Sequence, residues 1–458
     1  MLSIAQTTPK SEQLSLKFQK FFERYHIASL LRRSNACKLK GFPVIQIFML
    51  AFNLSFLQQS FYMLTRTGKD ALPFARDTFY RFMDSCNTNW RKFTTLLASA
   101  IIRTTIFPLT DENRVNVLIV DDSICHRARS KKVELLSRLY DHSKKEYSYG
   151  FRMLTLGWTD GNTFLPVNHV LLSTENKKNR MNEASVRIDP RSNGGKQRKL
   201  ATLKATDVML SLLREAKAAM IPADHVLFDT WFCSPSMLIS VKKLGLDVIA
   251  MTKKSEKVHY RYNGRMCDVK SIYSGNRKRR GRSKYLLSVE AEAVKDGESI
   301  PVRLVFVRNR NNRKNWLVLV TTDMNLSEQE IIRIYGKRWS IEVFFKMCKS
   351  YLHLEKGCRA ISYDAMTAHV AVVFTRYMYL AVEQRESVDE RSLGELFYIS
   401  IGELPDIKFV ESFAKIMMLF AEMVHADTGI PENELQSMVE KFIGQLPEIL
   451  FKNLTQCA

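Results

Sequence analysis

The sequence predicts an α/β fold with helical regions at both ends, and three observations predict it. Apolar residues recur at three- and four-residue spacing through 1–105, the period of helices packed on one side. From about residue 113 the pattern changes to short apolar runs, beginning with "RVNVLIVDDS", which suit strands buried on both faces. Beyond 325 the helical period returns.

Each element follows in order. The stretches "LSLKFQKFFERYHIASLLRR", 44–66 and "RDTFYRFMDSCNTNWRKFTTLLASAIIR" read as helices. Within the last of these, Arg76 to Met83 forms a helix turning Arg76, Tyr80 and Arg81 outward. That is either a helix-turn-helix recognition element or an amphipathic helix with a solvated basic face. The run at 42–64 is apolar but carries the amides of Asn53, Gln58 and Gln59, so it reads as a buried helix and not a membrane span. "YSYGFRMLTLGWTDGNTFLPVNHVLL" reads as a hairpin around Asp160-Gly161. A polar, basic loop from Ser173 to Lys199 precedes a helix, "LATLKATDVMLSLLREAKAAMI". "DHVLFDTWF" and "GLDVIAMTKK" are two further strands. Tight alternation through 255–322 predicts an antiparallel sheet inserted into the α/β core. The expected units are a helical N-terminal region (1–110), a core (111–254), an inserted β subdomain (255–322), the rest of the core (323–375) and a C-terminal helical region (376–458).

Composition narrows the function. With 69 Lys+Arg against 47 Asp+Glu, the formal charge is +22 and the pI near 9.6. A polyanion is the partner that such a charge calls for, and nucleic acid is the usual one. No basic amphipathic tail or lipidation signal points to a membrane, and "MLSIAQTTPKSEQ" lacks an apolar signal core. Eight cysteines are scattered without a CxxC pair, which suits a reducing cytoplasm and argues against zinc or a disulfide framework.

The chemistry concentrates in "IIRIYGKRWSIEVFFKMCKSYL". On one continuous helix starting from Tyr335, Arg338, Glu342 and Lys349 would fall within about 60° of one another. Ile334, Ile341 and Phe345 would form an apolar edge beside them. The stripe is either a solvated face with salt bridges such as Arg338 with Glu342, or a row for gripping phosphates and a cation. Two strands, at 115–122 and 224–229, end in acids, and a carboxylate at a buried strand end needs a partner. Three carboxylates converging on a hard divalent ion supply one.

Several of these features resemble known proteins. The order strand, hairpin, helix, strand, helix, strand resembles the ribonuclease H-like core. Tyr335, Arg338, Glu342 and Lys349, within "IYGKRWSIEVFFKMCK", resemble the YREK signature of insertion-sequence transposases of the fourth family. "VLIVDDS" resembles that family's first catalytic strand and selects Asp121, with Asp122 as the alternative; "VLFDTWF" resembles the second and selects Asp229.

The resemblance implies a metal-dependent DNA transposase that cuts at inverted repeats on double-stranded DNA and joins the ends to a target. Asp121, Asp229 and Glu342 would hold Mg2+, with Mn2+ as a substitute. Tyr335, Arg338 and Lys349 would grip phosphates, and a homodimer would pair two ends in the cytoplasm. Trp316, with Arg313 and Lys314 beside it, resembles a tryptophan that stacks on a flipped base in hairpin-forming relatives; the alternative is a core aromatic of the inserted sheet. Basic clusters at 276–284 and 308–314 are either phosphate contacts or solubilising turns. His126, close after the first strand, either touches DNA or makes a structural hydrogen bond. A non-transposing nuclease or a DNA-binding regulator are the competing functions.

Overall fold

A computed structural model describes residues 10–386 apart from 39, 58–59, 68–71, 111–113, 143, 280–282, 310–314 and 357, together with isolated positions at 424, 430 and 438. Most of the expected C-terminal helical region, Arg313, Lys314 and parts of both basic clusters lie outside the described residues.

The N-terminal helices are α1 (Lys10–Arg24), α2 (Ile27–Arg33), α3 (Val44–Phe56), α4 (Phe61–Thr67), α5 (Arg76–Met83) and α6 (Trp90–Ile101). The apolar run around 42–64 is therefore broken into α3 and α4, too short to cross a bilayer. Its aromatic residues pack inward, with Phe52 edge-on to Phe18 and Phe22. As the spacing predicts, α5 buries Phe79 and Phe82 and leaves Arg76, Tyr80 and Arg81 exposed.

The α/β region opens with β1 (Val117–His126), β2 (Ser137–Asp141), β3 (Glu146–Thr159) and β4 (Phe164–Leu172). The β3–β4 hairpin turns at Asp160, whose Oδ1 accepts from the N–H groups of Asn162 and Thr163 at 2.8 Å. Gly161 follows at φ +98°, a conformation that glycine adopts without strain. Helices α7 (Asn193–Ala201), α8 (Ala205–Ala218) and α9 (Pro235–Lys243) alternate with β5 (His225–Phe228) and β6 (Asp247–Met251). Here the reading of 173–199 as loop alone is corrected, because α7 occupies its end. Ser192 caps α7, and Arg198 is drawn into the core by Glu134 (2.6 and 2.8 Å) and Asp364 (2.8 Å).

In the sheet, β4 and β2 both pair with β3, which pairs antiparallel with β1; β1, β5 and β6 run parallel. This mixed sheet with flanking helices is consistent with a ribonuclease H-like core. The alternating stretch forms β7 (His259–Tyr262), β8 (Arg265–Asp268), α10 (Val269–Gly275), β9 (Tyr285–Lys295), β10 (Glu298–Arg308) and β11 (Trp316–Thr321). These strands continue the same sheet, because β11 pairs antiparallel with β6.

Three helices close the described chain: α11 (Glu328–Gly336), α12 (Trp339–Ser350) and α13 (Tyr363–Glu386). Helix α13 passes through the expected boundary at 375/376 without a break. It is long and apolar enough to cross a membrane, but its apolar window is wholly buried. Within it, buried Arg376 donates to the carbonyls of Ala51, Phe52 and Leu352, tying α3 and the end of α12 to the core.

Candidate functional site

Strand β1 begins as four buried residues and then presents Asp121 and Asp122. Side chains of an extended strand alternate, so the two acids face opposite ways. Asp121 meets Arg338 from the α12 side, and Asp122 pairs with Arg152 of β3. Asp229 follows β5 directly, where parallel pairing with β1 places it beside these acids. Its Oδ1 accepts from the Trp231 backbone N–H at 2.8 Å.

The third acid arrives on α12. Arg338 Nη1 donates to Asp121 Oδ2 at 2.7 Å, and Nη2 donates to Glu342 Oε1 at 2.5 Å. One guanidinium therefore bridges the strand acid and the helix acid. Burial pushes the Asp121 carboxyl up to about 7; the Arg338 charge opposes this, and the negative charge of Asp229 adds to it. Two mutually repelling carboxylates in a half-buried site need a proton or a cation, and here the nearest cation is Arg338.

The expectation of one continuous helix across 331–352 is corrected. The chain leaves α11 at Gly336, makes i→i+3 bonds from Lys337 N to Ile334 O and from Arg338 N to Tyr335 O, and re-enters helix at Trp339. Gly336 weakens the helix there, and Lys337 is drawn to the carbonyls of Val115 and Asp160 at the start of β1 and the hairpin turn. Arg338 stands at this interruption, at the N-cap of α12, and reaches Asp121 of β1.

The other expected residues divide. Tyr335 lies close enough to feel Arg338, Asp229 and Asp121; burial raises its phenol well above the usual range. Its Oη is buried without a hydrogen-bond partner among the described residues. Lys349 instead donates to Ile124 O at 2.6 Å and lies 3.5 Å from Glu355, further along β1. Trp316 stacks on Tyr273 with centroids 4.4 Å apart and leans on Phe306 at 5.4 Å, with Lys254 Nζ 4.1 Å from its centroid. Among the described residues, no hydrogen bond, ion pair or ring contact joins Trp316 to the three acids. His126 makes structural contacts, with Ser148 Oγ at 3.2 Å and Asp141 at 3.3 Å.

Sequence reasoning missed Arg152 and Trp231. Arg152 is one of many basic residues, and only the pairing of β1 with β3 brings it to Asp122. Trp231 stands inside the quoted "VLFDTWF", two residues after Asp229, and its 52% exposure was the missing signal.

The donor set is chemically suited to a hard divalent ion, which prefers carboxylate oxygens. Among the described residues no three acidic, histidine or cysteine groups yet converge closely enough to hold one. Arg338 engages the oxygens of Asp121 and Glu342 that such an ion would use.

The sequence pattern of the DDE superfamily endonucleases matches residues 40–311, more than half of the chain. The chain belongs to this family. A transposase-like nuclease activity on nucleic acid follows, and such nucleases normally use divalent metals. The match includes Asp121 and Asp229 but ends before Glu342, so the third acid stands on its contact through Arg338. No curated protein matches the chain.

Proposed function

We propose that the protein is a cut-and-paste DNA transposase acting on the ends of its own insertion sequence, with Asp121, Asp229 and Glu342 as the catalytic acids. The observation that carries this reading is the Asp121–Arg338–Glu342 bridge beside Asp229, at the end of parallel strands β1 and β5. A divalent ion held by the acids would supply Lewis-acid stabilisation and an activated water for in-line displacement at phosphorus. Asp121, whose carboxyl burial pushes up to about 7, would hold the ion as the carboxylate, in place of the Arg338 charge it now faces. Arg338, released from the carboxylates, would fork onto phosphate oxygens of the bound strand. Tyr335 would donate its buried, unpartnered hydroxyl to the same backbone, and Lys349 would contact it further along. The inserted β unit, the working dimer and a cytoplasmic location belong to the same reading. Arg76, Tyr80 and Arg81 give the N-terminal region an exposed face suited to end binding.

Asp121 is favoured over Asp122 because it shares a cation with Glu342, whereas Asp122 is neutralised by Arg152 on the other face. The test is joining. The DNA flanking the coding region supplies the end sequence, and a fragment carrying it is incubated with the protein, Mg2+ and a target plasmid. A transposase links the freed 3′-hydroxyl ends covalently to the plasmid. Cleavage without joining would identify a nuclease, and binding without cleavage a regulator.

A further inference from the structure

Near the acids, on the side of β1 that carries Asp122, one indole stands open to solvent. Trp231 is 52% exposed; Trp339, beside Arg338, is also exposed, but no cation is stacked on its ring among the described residues. The Trp231 backbone N–H donates to Asp229 Oδ1 at 2.8 Å, which fixes the main chain that carries the ring beside a proposed catalytic acid. Two cations lie against it: the Arg152 guanidinium carbon 4.7 Å and the Lys253 ammonium 4.9 Å from the ring centroid. Arg152 is tethered to Asp122. Lys253 has no ion pair among the described residues, so it can leave the ring for a phosphate at little cost.

We propose that Trp231 is a stacking platform for an unpaired base of the DNA strand entering the site, with Lys253 and Arg152 as its phosphate clamps. The inference rests on the transposase reading above and specifies how the strand is held. An aromatic face accepts any base, and flanking cations neutralise the backbone that carries it. Trp316 is less suited, because Tyr273 already covers its ring at 4.4 Å and Phe306 leans on it. The exposed indole beside Asp229 leaves room for a base where Trp316 does not.

The experiment is equilibrium binding, in EDTA, of a labelled twelve-nucleotide oligo(dT) and of a blunt duplex of the same length. Trp231→Ala should weaken oligo(dT) binding about fivefold to a hundredfold and change duplex binding less than about twofold. Trp231→Phe should recover most of the loss, and Lys253→Gln should lower the salt slope by about one unit. A thermal melt of each variant separates stacking from folding; the exposed ring predicts an unchanged transition for Trp231→Ala. Equal weakening on both DNAs, unchanged oligo(dT) binding, or no rescue by phenylalanine would overturn the platform while leaving the transposase reading in place. If the wild-type protein binds neither DNA, the functional reading itself fails, and the platform with it.

Discussion

Arg338 holds two carboxylates at once, a task for a planar fork and not for a point charge. Burial would lower its pKa, but Tyr335, Asp121 and Glu342 facing it outweigh this and raise it above its ordinary value, so it stays cationic throughout. Replacing it by lysine preserves the charge but cannot span Asp121 and Glu342 together. Arg338→Lys should therefore cleave end DNA at least about tenfold more slowly than wild type, and Arg338→Ala more slowly still, in single-turnover assays. Wild-type cleavage by the lysine variant would remove the need for a forked contact. At this scale the acids were legible, because carboxylates at strand ends are costly without partners. What was not legible is which of two adjacent acids faces the helix; that choice needed the contacts of Arg338 and Arg152.

The β3–β4 hairpin and α13 meet at one buried carboxylate. Asp160 is 1% exposed, accepts from two turn amides and Thr110, and faces Arg385 of α13 at 3.0 Å and Arg114 at 3.4 Å. Burial alone would push its pKa up, but the amides of Thr163 and Asn162, the Arg385 charge and the Thr110 hydroxyl outweigh this and hold it below the usual carboxylate value. A depressed folded pKa stabilises above the unfolded value, and that contribution disappears as pH falls through the folded one. Asp160→Asn should therefore cost about 2–4 kcal/mol at pH 7, since it removes the charge facing two arginines. The gap between variant and wild type in urea melts should close as pH drops below about 4. A pH-independent gap would show that the ionised form is not what stabilises the corner. The turn was readable from Asp160-Gly161, because the amide-accepting Asp and the positive-φ Gly are local chemistry. The break at Lys337–Arg338 was not, because it depends on carbonyls of Val115 and Asp160 far away in sequence. Likewise α7 hid in a basic loop whose Arg198 is paired only in the folded chain. Strand β2 is five residues that gain their meaning only by pairing with β3.

For the whole molecule, one sheet collects acids separated by more than a hundred residues at each step: Asp121 from β1, Asp229 after β5 and Glu342 from α12. The alternation of strand and helix periods made the order of elements readable in outline, the resemblance picked out the three acids, and the net charge of +22 pointed to the class of partner. Whether strands 255–322 stand apart was not readable, because alternation does not say which edge they join; pairing of β11 with β6 joins them to the main sheet. If the three acids act as one unit, their losses should not multiply. The direct test is single-turnover cleavage of end DNA in Mg2+ by Asp121→Asn, Asp229→Asn, Glu342→Gln and the Asp121→Asn/Glu342→Gln double variant, with Asp122→Asn as control. Each of the three single variants should fall by at least about a thousandfold with DNA binding retained, the double should be no worse, and Asp122→Asn should stay within about tenfold of wild type. Near-wild-type cleavage by Asp229→Asn or Glu342→Gln, or multiplied losses in the double variant, would show that these residues are not one catalytic centre.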